Sequence, residues 1–283
     1  MIRAATATFA LLCLAPLRGV GQEVQISGSP VVAMAITFAG PKLKEQGIGI
    51  KVTTESGSGN AIISLGYETA DIAMTLRPVN STERATFPSK TFVEERIGSQ
   101  AIAFIVPRDV WDGGVRSVTK NQLIGIYEGS ITSWKELGGE DKKIKFFNSE
   151  RGRGLWEFFA QWAYGDQRKA PLGEKFETVV GGEDARNTVE FNAGSCAFAP
   201  PRWADGKSVF ALAIKEESGA LVEPTAPNIA SLRYPLARPV LLVFGEKPVG
   251  ARRRVLEFML GEEGQALLTK TELVPLDEVG RAR

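Results

Sequence analysis

The 283-residue chain contains no histidine and only two cysteines. The first absence excludes a histidine-based catalytic triad, a histidine zinc site and the HExxH protease helix. Two cysteines are too few for a cysteine-rich metal centre, and Cys13 falls in an N-terminal segment expected to be removed. Cys196 is then left alone, so no intrachain disulfide is expected. In the apolar run SCAFAP it reads as a buried, inert thiol. Neither a GxxxxGK[ST] phosphate loop nor a GxGxxG fingerprint at a strand-to-helix turn is present. Charge of one sign is not in excess either: 34 basic against 33 acidic residues give a formal net charge of +1. That is no field for nucleic acid or a bulk membrane surface, so any anion site must be local. With no evident activator for its hydroxyls and carboxylates, the chain is expected to bind and not to catalyse. No catalytic residue, metal or cofactor is expected.

What is present begins with an export pattern. MIRAATATFALLCLAPLRGVGQ carries a basic start at Arg3, an apolar core from Ala4 to Leu17 and small residues at Gly19 and Gly21. This is a signal peptide pattern, too short and too loosely apolar for a membrane span. Cleavage near Gly21 makes residues 1–21 the leader and gives a secreted or periplasmic protein starting at Gln22. A lipoprotein attached through Cys13 is the lesser alternative, because Leu12 stands where a lipid-attachment site carries a small residue. Loss of Arg3 and Arg18 takes 34 basic residues to 32 against 33 acidic, a net charge of −1.

Along the remaining chain, apolar runs alternate with helical patterns. VQIS precedes a helix from about Val31, IKVTT precedes one from about Asn60, and DIAMT follows. Strand, helix, strand in this order implies βαβ units and a mostly parallel sheet. AIAFIVP (Ala101 to Pro107) suits a strand that leaves one sheet and enters another. KNQLIGIYEG places Leu123, Ile126 and Tyr127 on one helical face, stopped by Gly129. KIKFF is a short strand, and GLWEFFAQWAYG is an apolar helix with Leu155, Phe158, Phe159 and Trp162 as its core stripe. SCAFA and SVFALAI are two more strands.

Three loops rich in glycine and serine enter helices: SGSP at 27–30, SGSGN at 56–60 and SERGRG at 149–154. A helix N-terminus has unpaired N–H groups and partial positive charge, glycine allows close backbone approach, and serine adds a hydroxyl donor. Converging across a cleft, they form a neutral cage for an oxyanion; singly, each is weak evidence and reads first as an ordinary N-cap.

The run YPLARPVLLVF (Tyr234 to Phe244), VLEFMLGEEGQALLTKTELVPL (Val255 to Leu276), SVTKNQLIGIYEGSITSWKELGG (Ser117 to Gly139) and the first two loops together resemble periplasmic phosphate-binding proteins, the substrate-capturing subunits of ABC importers. The resemblance implies a two-lobed α/β fold, each lobe a mostly parallel sheet flanked by helices, with the ligand cleft between them. It places lobe one at 22–105 plus 235–283 and lobe two at 106–234, with crossings near Val106 and Tyr234.

It also implies a site. Ser29 matches the serine of the family's first loop, although Pro30 replaces the threonine after it. Ser58, with Gly59 beside it, matches the second loop, and Asp71 and Arg77 match recurring positions of DIAMTLRPV. Leu76 stands where the family places a carboxylate that accepts the phosphate proton. In the third loop, Asn148 or Ser149 falls near the family's arginine, Arg153 at a serine and Leu155 at a threonine, while Arg151 and Arg153 are new. Loss of carboxylate and arginine together leaves neither charge unpaired. The expected ligand set is thus Ser29, Ser58, Gly59, Arg77, Arg151 and Arg153, re-purposed towards a more fully charged or larger anion. The implied function is capture of phosphate, or of sulfate or a larger oxyanion, by a monomer that serves an ABC permease or membrane sensor. A scaffold or signalling protein that kept the fold and lost small-anion binding is the alternative.

Overall fold

A computed structural model describes residues 23–54, 57–151, 154–171 and 177–277. The expected leader, Cys13 and Arg153 lie outside the described residues. In chain order the elements are β1 (Glu23–Gly28), α1 (Pro30–Glu45), β2 (Gly49–Thr54), α2 (Gly57–Gly66), β3 (Ile72–Thr75), α3 (Ser81–Thr86), β4 (Val93–Ala101) and β5 (Ala103–Pro107). There follow α4 (Arg108–Asp112), β6 (Ser117–Thr119), α5 (Lys120–Glu128), β7 (Lys145–Asn148), α6 (Gly154–Tyr164), β8 (Glu177–Thr178), α7 (Gly181–Phe191) and β9 (Ser195–Ala199). The last stretch holds β10 (Val209–Ala211), β11 (Ala213–Lys215), β12 (Leu221–Val222), α8 (Ala226–Ala230), β13 (Ala237–Phe244), α9 (Gly250–Leu260), α10 (Glu262–Lys270) and β14 (Leu273–Pro275).

One lobe is built on a sheet of order β14-β4-β13-β3-β1-β2, the other on a sheet of order β10-β5-β9-β7-β8 with a small β12-β11-β6 sheet beside it. β1 runs parallel to β2 and β3, and β7 runs parallel to β8 and β9. The mostly parallel sheets expected from the alternation hold for these strands only. β4, β13 and β14 pair antiparallel in the first sheet, and β5 pairs antiparallel with β9 and β10 in the second. Both sheets are therefore mixed, because the strands that carry the chain between lobes must enter one sheet and return through it.

The chain changes sheet at Ile102, between β4 and β5, ahead of the Val106 expected from resemblance; it returns at Leu236, just before β13. Ile102 N–H donates to Leu236 C=O at 3.1 Å, so the outgoing and returning segments are tied at the crossing itself. SVFALAI is likewise two strands. Leu212 N–H bonds Phe104 C=O at 2.9 Å, and the chain passes from β10 in the five-stranded sheet to β11 in the three-stranded one.

The six-stranded and five-stranded sheets are each covered on both faces. In the first lobe α1, α9 and α10 supply Val32, Ile36, Leu43, Val255, Met259 and Leu268 to one core, while Ile62 and Leu65 of α2 pack with Phe87 and Phe92 on the other face. In the second lobe α5 and α6 bury Leu123, Tyr127, Trp156 and Phe159 on one face, and α7 buries Ala185 and Val189 on the other. On α6 the expected stripe is rotated: Phe158 and Phe159 are core, but Trp156 is buried while Leu155 and Trp162 are half-buried. The Trp156 Nε1–H explains this by donating to Tyr127 Oη at 3.1 Å, which draws the ring inward. Cys196 on β9 is fully buried, and burial pushes its thiol well above the ordinary range, as the inert reading requires.

Candidate functional site

Strand direction locates the site. β4 enters the crossing at Ala101, whose partner Ala237 opens β13; β3 lies antiparallel to β13, with Thr75 opposite Leu241 and Ala73 opposite Val243. The C-terminal ends of β3 and of its parallel neighbour β1 therefore point towards the second lobe. In that lobe Ala103 pairs with Ala199, so the C-terminal ends of β9 and its parallel neighbours β7 and β8 point back towards the first. The loops into α1, α2, α6 and α7 follow these ends, so helix N-termini from both lobes face the junction.

On the first lobe, Ser29 occupies the N-cap of α1 with no side-chain cap bond; its N–H donates to Met74 C=O at 3.0 Å. Gly28 makes this approach possible: at φ +142° a Cβ there would stand 2.2 Å from Met74 O. Ser58, in the first turn of α2, accepts the Leu76 N–H at 3.0 Å, which leaves its own hydroxyl proton available to a ligand. Gly59 follows it, and a Cβ on Gly59 would be 3.7 Å from Arg77 Nη2. Ser29, Ser58 and Gly59 thus share one edge of the first lobe.

The two described arginines of the expected set are engaged elsewhere. Arg77 donates Nη2–H to Glu83 Oε1 at 2.6 Å and Nη1–H to Glu83 Oε2 at 2.9 Å. Glu83 is the N3 residue of a capping box on α3: its carboxylate accepts the Asn80 N–H at 2.9 Å. Burial alone would raise the Glu83 carboxyl, but the Arg77 hydrogen bond, the Asn80 N–H and the Arg77 charge together hold it below its ordinary value. Arg151 stacks on Trp156, with its guanidinium 5.0 Å from the ring centre, and its nitrogens face the carbonyls of Ala170 and Pro171 at 3.4 and 3.5 Å. Asp71, another matched position, accepts Gln25 N–H at 2.8 Å and so ties β1 to β3.

On the second lobe β7 ends at Asn148. Its Oδ1 accepts the Ser149 N–H at 2.9 Å, and its backbone carbonyl accepts Val179 N–H at 3.0 Å. Among the described residues its Nδ2 has no partner, although Asn148 is only 2% exposed. The other buried side-chain atoms in this condition are Ser27 Oγ near the end of β1, Ser99 Oγ on β4 and Tyr234 Oη beside the returning segment. All four lie on strand ends or crossing segments at the lobe junction. Buried polar atoms are ordinarily hydrogen-bonded, so this grouping marks the junction as a place built to meet polar atoms.

Sequence reasoning passed over Arg238, the one charged residue in the run Tyr234 to Phe244. It sits on β13 opposite Gln100, donates Nε–H to Gln100 Oε1 at 2.8 Å and lies 4.1 Å over the ring of Phe158 on α6. Burial pulls its guanidinium down to about 10, against the opposing influence of the Glu157 charge, so it stays protonated at neutral pH. Glu157, in the first turn of α6, is raised by burial, with the Arg238 charge pulling the other way. The signal in the sequence was an arginine interrupting an apolar strand. No cluster of metal-binding side chains occurs among the described residues, and none of their helices is long and apolar enough to cross a membrane.

Comparison with known proteins places this geometry in a family. The protein named phosphate-binding protein PstS of Bacillus subtilis (strain 168) is 24% identical over 262 residues, 91% of this chain and 82% of its own. Its namesake in Staphylococcus haemolyticus (strain JCSC1435) is 25% identical over 257 residues, 86% of this chain and 78% of its own. Among solved structures, an ABC-type phosphate transport receptor from Vibrio cholerae superposes with a TM-score of 0.74 at 26% identity, covering 89% of this chain and 99% of that one. A putative phosphate ABC transporter substrate-binding protein from Clostridium perfringens, with bound phosphate, gives 0.64 at 26% identity, covering 90% and 100%. The sequence profile of the PBP superfamily domain matches residues 15–263. With two mixed sheets joined by a double crossing and helix N-termini turned to their junction, the chain belongs to the PBP superfamily.

Proposed function

We propose that this protein captures phosphate, or an oxyanion close to it, between its two lobes and passes it to an ABC importer outside the cytoplasmic membrane. The observation that carries this reading is the grouping of buried, unpartnered polar atoms at a junction where helix N-termini converge from both lobes. The names of the relatives supply the ligand class. Ser29, Ser58 and Gly59 on the first lobe are the proposed ligands, with the Asn148 amide across the cleft; Arg153 joins them on its sequence position alone. Arg77 and Arg151 serve instead to brace the loops that carry these groups. Leu76 supplies no acceptor for a phosphate proton, so discrimination against sulfate is expected to be shallow.

Mechanistically the protein works by binding and closure. An oxyanion held by donors from both lobes favours the arrangement in which both reach it, and the crossings at Ile102 and Leu236 form the short hinge. Export with cleavage near Gly21, the monomeric state and the permease partner belong to the same proposal; intact-mass measurement of secreted protein tests the cleavage site. A second reading, a scaffold without small-anion binding, is favoured by the engagement of Arg77 and Arg151 away from a ligand.

Titration calorimetry of the mature protein with phosphate, arsenate and sulfate separates the two readings. One-to-one binding of phosphate, with a smaller radius of gyration in small-angle scattering, is the expected result. Absence of heat with every anion would favour the scaffold.

A further inference from the structure

Arg238 is held where a charge has a use. Its Nε–H is committed to Gln100 of the first lobe and its flat face to Phe158 of the second, so stem and plane of the side chain are both fixed. Among the described residues Nη1 and Nη2 donate to no protein atom, and Glu157 forms no ion pair with the guanidinium, although its charge is felt there. The placement is equally specific. β13 carries Arg238 just past the point where the chain returns from the second lobe, and Phe158 lies in α6, the helix entered from the Asn148–Gly154 loop. The free edge of the guanidinium therefore sits beside a cleft-facing helix start, between the lobes.

A guanidinium drawn partly out of water without a paired carboxylate is costly unless some other anion meets it. Its planar fork suits that purpose: with Nε occupied, the two terminal nitrogens still present N–H groups in one plane, spaced for two oxygens of a tetrahedral oxyanion. A surface role would not require an aromatic ring against the guanidinium face, and a purely structural cation–π contact would not need Gln100 at its edge to fix its rotation.

We propose that Arg238 is a cation that neutralises the bound oxyanion, its Nη1 and Nη2 donating to ligand oxygens while Gln100 and Phe158 aim it. This rests on the reading of the cleft as an oxyanion site and adds to it a residue that supplies compensating charge. Because that residue belongs to the crossing strand, the ligand is tied to the hinge as well as to the loops. Gln100 is then a positioning residue.

The test is phosphate titration of wild type, Arg238→Met and Arg238→Lys, with urea unfolding of each in the absence of phosphate. Arg238→Met is expected to unfold cooperatively and to bind phosphate about ten- to a hundredfold more weakly, the loss typical of charge-assisted hydrogen bonds. Arg238→Lys keeps the charge but replaces the planar fork that spans Gln100 and two oxygens with a single nitrogen, and is expected to bind about tenfold more weakly. Should the methionine variant fail to fold, the lysine variant decides. Phosphate binding by Arg238→Lys, or by folded Arg238→Met, as tight as wild type overturns the assignment and leaves the anion site standing. Wild type that binds no anion overturns the site and the assignment together.

Discussion

Replacing Arg77 by glutamine separates a bracing arginine from a ligand. Its guanidinium makes a two-pronged contact with Glu83 at 2.6 and 2.9 Å, and its Nη1 also reaches Pro78 C=O at 3.0 Å. The Arg77 side chain is 41% exposed and that of Glu83 13% exposed, so the pair is neither a surface pair nor a buried one. Fully buried pairs cost about 3–5 kcal/mol when one partner is removed and exposed pairs about 0–1. With one partner largely solvated, the lower range applies. Glu83 is not stranded either, because it still accepts the Asn80 N–H. Arg77→Gln should therefore lower unfolding free energy by about 1 kcal/mol and leave phosphate affinity within about twofold. Urea unfolding gives the first number and titration calorimetry the second.

Acid provides an internal control. The Glu83 carboxyl lies below its ordinary value of 4.5 in the folded protein, so the stability it contributes is present above that value and is lost as pH falls through the folded one. Arg77 is raised above its ordinary value, chiefly by its hydrogen bond to Glu83, which matters only in strong alkali. The difference between wild type and Arg77→Gln should thus be full at neutral pH and shrink as pH drops below about 4.5. A tenfold loss of phosphate affinity in a variant of near-native stability would refute the reasoning and return Arg77 to the ligand set.

Other perturbations test other parts of the frame. Ser58→Ala removes the acceptor of the Leu76 N–H and a proposed ligand hydroxyl; a loss of about 1 kcal/mol in urea unfolding and roughly fivefold in phosphate affinity is expected. Gln265→Leu strands Ile97 C=O, Met259 C=O and Leu276 N–H, all bonded by the buried amide at 2.7–2.9 Å, and should cost about 3 kcal/mol by the same measurement. Leu76→Asp introduces a carboxylate at the cleft-facing end of β3, and comparative titration should show sulfate penalised more than protonated phosphate, which can donate to it.

Much of the architecture was legible because its signals are local. VQIS, IKVTT and DIAMT are β-branched runs punctuated by Gly-Ser turns, and they became the three neighbouring strands β1, β2 and β3. The helix from Gly154 was legible from its aromatic spacing, but its buried face was not. Trp156 is core because Tyr127, on another helix, accepts its indole N–H. The sheet change within AIAFIVP was legible but not its position at Ile102, and the change at Leu212 was hidden for a related reason. An apolar run that crosses between two cores looks the same as one that stays within a core, and only pairing partners distinguish them.

In the proposed site the neutral donors are easier to place from sequence than the charges are. Glycine and serine before a helix declare backbone conformation, so Ser29, Ser58 and Gly59 could be located from their own neighbourhood. An arginine declares nothing until its partner is known. Arg77 sits among matched positions, yet Glu83 reaches it through the N-cap geometry of α3; Arg151 lies in a glycine-rich loop, yet Trp156 and two carbonyls of 170–171 hold it. Arg238, in a strand that reads as pure core, keeps two terminal nitrogens without a protein acceptor among the described residues. Long side chains convert small differences in packing into large differences in where the charge ends up. A charge inside an apolar run is therefore a stronger pointer to a ligand than a charge inside a polar loop. The run has to bear the cost of desolvating it, whereas the loop leaves it in water.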